Sequence, residues 1–181
     1  MNNQLIKLWL AAFGLVVFCG CFKSDTQTYS LAVAAQNKRS WNEAIALYTE
    51  SLSIGQRSNA SPGRAVALLN RAICAKAANN HTMAFEDATA VIGYARLFEN
   101  SDFFAPENEV SARMVLMSIY EKHGQLKLAK KQLDEALLIQ PNHPDATRLL
   151  KIVESRISEA SDQKKDEKID YTQRRGHDLG K

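Results

Sequence analysis

Three cysteines (19, 21 and 74) and four histidines (81, 123, 143 and 177) are the residues of this chain best able to hold a metal or attack a carbonyl. Their spacing serves neither purpose. A closed zinc site needs Cys or His pairs a few residues apart, and a helical metalloprotease site needs HExxH; neither pattern occurs. There is no GxSxG elbow and no glycine loop to cradle phosphate; Gly55 and Gly63 only bracket a turn-rich stretch. Glu and Asp recur at helical spacing with Lys and Arg, the pattern of a solvated face. The expectation is a protein that is no enzyme and takes no cofactor or metal. A net charge of +3 over 181 residues provides no footprint for DNA or RNA, while 45% apolar residues are ample for a core.

Cys21 is the thiol with a context. Residues 1–20 carry one charge, Lys7, and an apolar run from Leu8 to Phe18. That run is too short to span a bilayer and suits the core of a signal peptide. The following Phe18-Cys19-Gly20-Cys21 resembles the bacterial lipoprotein box, with small Gly20 just before the Cys. Phe18 departs from the usual Leu, and Cys19 is an uncommon but small neighbour. The resemblance implies a diacylglycerol on the Cys21 thiol, cleavage before Cys21 and acylation of the new amine. Three chains would exceed the two signals that stable anchoring takes. An ordinary secretory signal and an uncleaved apolar anchor are the alternatives.

A lipidated Cys21 leaves Cys74 as the one thiol of the mature chain, so no internal disulfide can form. Beside Ala72 and Ala75, Cys74 reads as a small buried hydrophobe. Only Phe22 to Gln27 separates the lipid from the first helix, at most about 20 Å of extended chain. The domain is therefore expected close to a membrane surface. Phe22 rather than Asp after the Cys implies, by the sorting rule of such lipoproteins, the outer membrane, facing the periplasm.

Most of the remaining chain is helical in pattern. From Met117 to Pro141, two amphipathic runs meet at His123-Gly124-Gln125. Val110, Met114 and Met117 form one stripe; Ala129, Leu133, Ala136 and Leu137 form its match, and Pro141 closes the unit. The skeleton recurs upstream. Met117, Ala129 and Ala136 correspond to Ala72, Ala84 and Val91, and again to Ala32, Ala44 and Ser51. Trp41 follows the first turn and Tyr48 supplies an aromatic. This pattern resembles the tetratricopeptide repeat (TPR), whose small residues let two helix backbones approach closely. The alanines at 44, 84 and 129 are spaced more widely than the roughly 34 residues of that repeat. Each junction therefore carries extra residues.

The resulting expectation is an all-α, short TPR-like solenoid of three hairpins, at about 28–57, 66–98 and 110–143, behind a 21–27 linker. A capping helix spans 144–157, with Pro144 in its first turn and Ala146, Leu149, Leu150, Val153 and Ile157 on one face. Residues 158–181 mix charges with few apolar side chains and read as a disordered tail. In the 97–109 insertion, Phe98, Phe103 and Phe104 alternate with acids. They read as tucked against the third repeat, with a partner-binding loop as the alternative.

The TPR resemblance implies a concave groove lined by the first helix of each repeat. Mapped position by position, it carries Tyr29, Val33 and Gln36; then Leu69, Asn70, Ile73 and Lys76; then Met114, Ser118 and Glu121. The subtype that clamps a chaperone's C-terminal carboxylate is excluded. Asn70 matches one of its residues, but Tyr29, Val33, Ser111 and Val115 stand where the other ligands belong. The expected function is a lipid-anchored scaffold of the bacterial cell envelope that binds a protein or peptide partner at the membrane surface, assisting assembly of a larger machine. A positioning subunit of a cell-wall enzyme and a self-assembling structural subunit are the alternatives.

Overall fold

The computed structural model describes residues 25–54, 62–98 and 105–178. The signal peptide, Cys21, most of the first junction, Phe103 and Phe104 lie outside the described residues. Within them the chain forms seven helices: α1 (Asp25–Asn37), α2 (Trp41–Ile54), α3 (Pro62–Ala77), α4 (His81–Leu97), α5 (Pro106–Lys122), α6 (Leu126–Ile139) and α7 (Pro144–Asp178). No helix among the described residues is long and apolar enough to cross a membrane. The architecture is the expected all-α solenoid of three hairpins and a capping helix. Each helix packs on its sequence neighbours, and α3 also meets α5, so the first helices of repeats two and three lie side by side.

Each hairpin closes by the same backbone device. Arg39, Asn79 and Gly124 all take φ near +60° to +70°, and each stands five residues before the signature alanine. At each bend the left-handed residue donates its N–H three residues back, to Gln36, Lys76 and Glu121, over 2.9, 3.1 and 3.0 Å. The next residue donates five back, to Ala35, Ala75 and Tyr120, over 3.0, 2.8 and 2.8 Å. These bonds satisfy carbonyls that a helix end leaves open. Only one bend uses the glycine that this conformation favours.

The residues matched between repeats are the ones that touch. Ala32, Ala44 and Ser51, then Ala72, Ala84 and Val91, then Met117, Ala129 and Ala136, are all buried. The alanines among them leave room for the paired helix backbones to approach. Cys74 is fully buried beside Ala32 and Ala44, and burial pushes its thiol up to about 11, so it stays protonated and inert.

Two boundaries differ from the sequence expectation. The first helices start early, at Asp25, Pro62 and Pro106, where 28, 66 and 110 were expected. Pro62 and Pro106 open their helices, a place where a missing N–H costs nothing. The capping helix does not stop at Ile157 but continues to Asp178, in place of a disordered tail. Its first three turns dock through Ala146, Leu149, Leu150 and Val153 against Met117, Ala129 and Leu133. Beyond Ile157, no glycine or proline interrupts the run before Gly176, and Asp, Glu and Lys are strewn at helical spacing, which favours continuation.

Candidate functional site

The concave face is built by α1, α3 and α5, with α7 closing one end. Nine of the ten expected groove residues are at least partly solvent-accessible; Tyr29, Val33, Gln36, Asn70, Ile73, Lys76, Met114, Ser118 and Glu121 are all half-buried. Leu69 is the exception and does not line the groove: it is only 5% exposed, inside the core with Leu68, Ala72, Ala112 and Val115. The cause is the direct packing of α5 on α3, which takes that side chain into the interior.

The floor at the first repeat is a polar network. The Asn70 amide donates to the Tyr29 hydroxyl over 2.9 Å, bridging α3 to α1. The Tyr29 ring meets Tyr48 edge-on at 5.6 Å, and the Tyr48 hydroxyl donates to Gln36 Oε1 over 2.7 Å. Tyr48 is fully buried. Burial, then the neighbouring Tyr29 and Cys74, push its phenol well above the usual tyrosine range, with a contact from Asn70 opposing them. The network thus links α1 to both α2 and α3. Its functional meaning is direct. The one groove residue shared with the carboxylate-clamp subtype, Asn70, is already engaged by the tyrosine that replaces a cation there.

The other end of the face is ionic. Glu121 pairs with Arg156 of the capping helix, so it is not a free acid awaiting a substrate. Arg156 was not foreseen as a groove neighbour, because nothing local to its sequence says that α7 folds back over α5. Val33 packs against the first-repeat cluster of Ala32, Ala35 and Tyr48, and Ile73 against the second-repeat cluster; the Ser118 hydroxyl donates to the Met114 carbonyl over 3.0 Å. Met114 leans toward the Met117 and Leu133 cluster and serves as flank more than floor. No group of three or more metal-ligating residues occurs among the described residues.

The face thus combines partly buried apolar side chains with one lysine, hydroxyls and amides, and an ion pair at the end covered by α7. The fold is that of a tetratricopeptide-repeat domain. Among solved structures, the chain is similar to the Arabidopsis OM64 TPR domain, with a TM-score of 0.58 and 21% identity over 71% of this chain and 93% of that one. It is similar to the Sgt2 TPR domain from Aspergillus fumigatus, with a TM-score of 0.60 and 24% identity over 76% and 81%. It is also similar to the first TPR of Spaghetti (RPAP3) bound to the HSP90 peptide SRMEEVD, with a TM-score of 0.60 and 16% identity over 76% and 99%. No family model matches the chain, and no curated protein matches it in sequence.

Proposed function

We propose that the protein is a protein-interaction scaffold, lipid-anchored at Cys21 on the periplasmic face of the bacterial outer membrane, and that it holds a partner peptide or helix in its concave groove. The observation that carries the reading is that Val33, Ile73 and Ser118, one on each first helix, are half-buried rather than sealed in the core. An apolar groove with polar margins accepts an extended or helical segment from a partner. Similarity of fold to a TPR bound to a peptide, the Spaghetti (RPAP3) domain, supports the same use of the face. The neutral floor at Tyr29 and Asn70 favours a partner held along its length over one clamped by its terminal carboxylate. No single observation favours the enzyme-positioning or self-assembling alternatives.

The test is site-specific photocrosslinking in cells from position 73 and position 118, with position 138 on the outer side of α6 as comparison. A discrete protein adduct from 73 and 118 but not 138 supports the groove, and an absence of adducts at 73 and 118 refutes it. Fractionation of Cys21→Ser tests the anchor separately: release from membranes is expected, and retention would remove the lipid from the reading.

A further inference from the structure

We propose that the edge of the stack on which the chain enters seats directly on the lipid bilayer, through the apolar side chains of Ile54, Leu97 and Leu138. This rests on the anchoring reading above and adds an orientation to it. The topology sets up the edge. Helix α1 starts on it at Asp25, four residues after Cys21, so at most about 14 Å of chain separates the two. Each three-residue bend reverses the chain, so α2, α4 and α6 all run back and end on the edge where α1 began. Ile54 is the last residue of α2, Leu97 the last of α4, and Leu138 the last but one of α6.

Exposure singles out two of the three, Leu97 and Leu138. Leu138 is 82% exposed and Leu97 76%, whereas the next large apolar side chain among the described residues, Ile152, is 43% exposed; Ile54 is 41%. Single exposed leucines are ordinary on a protein surface. Here the two most exposed lie on one edge, and that edge is the one tethered to the apolar leader or its lipid. A tether this short holds the edge within reach of the interface, where apolar side chains lose water to the acyl boundary. The opposite edge, with the bends at Arg39, Asn79 and Gly124, is then turned away from the membrane.

Charge does not compete with this. Arg64, Arg96 and Arg148 share the edge with Glu107, Glu109 and Asp145, so both signs of charge are interspersed there. Arg64 is bonded to the Leu52 carbonyl and Asp145 to Arg148. The contact is apolar and should be insensitive to salt.

The experiment places a benzoylphenylalanine photocrosslinker at position 97, at 138, or at Lys127 beside the third bend, in the full chain in its own membranes, and weighs the adducts by mass spectrometry. Phospholipid adducts at 97 and 138, at least five-fold more abundant than at 127, are expected. Equal lipid labelling at all three positions, protein adducts alone at 97 and 138, or no adduct there would each overturn the seating. Sedimentation of the same samples separates the two readings. A chain absent from the membrane pellet removes the anchor and the seating together, whereas a pelleted chain without lipid adducts at 97 and 138 removes the seating alone.

Discussion

Arg71 and Asp87 meet in two parallel hydrogen bonds of 2.8 Å each, Nε to Oδ2 and Nη2 to Oδ1, across the second hairpin. The remaining guanidinium nitrogen donates to Thr49 Oγ1 of α2 over 3.0 Å, so one side chain ties three helices from two repeats. Asp87 is 4% exposed. Removing it strands a largely buried cation, and Asp87→Ala should cost about 3 kcal/mol, read by urea unfolding. The double variant Arg71→Met, Asp87→Leu should recover most of that loss, because two apolar groups leave nothing unpaired. A double variant no more stable than Asp87→Ala would show that the pair acts through something other than charge.

The three equivalent bends offer a test free of side-chain contacts. A Cβ added at Gly124 would meet nothing within 4 Å, so Gly124→Ala carries only the strain of a left-handed backbone. It should lose about 1 kcal/mol. Arg39→Gly is the mirror experiment and should gain up to about 1 kcal/mol, less whatever flexibility the unfolded chain acquires. Thermal midpoints that move in the same direction for both variants would contradict the equivalence of the bends.

Acidification should loosen the contact between the second and third bends. Lys122 Nζ lies 2.7 Å from His81 Nε2 and 2.8 Å from Asn79 Oδ1, and the His81 ring meets His123 edge-on at 5.8 Å. The neutral ring accepts from the ammonium; the protonated ring would repel it. Burial, then Lys122 and His123, hold the His81 pKa below its ordinary 6.5. A lowered folded pKa means that the unfolded chain binds the proton first. The contribution is therefore present above about pH 6.5 and lost as pH falls through and below that value. The difference in Tm between wild type and His81→Gln should shrink from about pH 8 to about pH 5. A difference that grows on acidification would contradict the arrangement.

Two substitutions on one helix separate groove from core. Leu69→Asp buries an unpaired carboxylate and should cost on the order of 4 kcal/mol, with loss of helical circular dichroism. Ile73→Asp, on the half-buried floor, should keep the helical spectrum and much of the stability while abolishing the crosslinked partner. An Ile73→Asp protein that retains its partner would move the binding surface elsewhere.

The hairpins were legible because their signals are local. A period of 3.6 residues, a small residue at each close approach and a turn between them need no knowledge of the rest of the chain. Tyr48 and Cys74 could be placed for the same reason. Leu69 could not: its position in the repeat belongs to the groove, and only the packing of α5 on α3 closes over it. Arg156 and Glu121 are 35 residues apart and meet only once α7 has folded back. The Arg71 and Asp87 pair spans two helices on faces that charge patterning alone reads as solvated. Helix starts were set by Pro62 and Pro106, whose meaning depends on whether a helix follows or a loop persists.

The bends and the junctions have opposite tolerances. Every bend is three residues long, whereas the chain between hairpins varies, with residues 55–61, 98–105 and 140–143 doing the same job at different lengths. One residue added inside a bend would break the shared backbone hydrogen-bond pattern that sets each alanine five residues after its left-handed residue. The same residue added between hairpins leaves every interface untouched. Elaboration of this molecule is thereby confined to a single rim, the one beside its amino end, and the far rim is frozen in length.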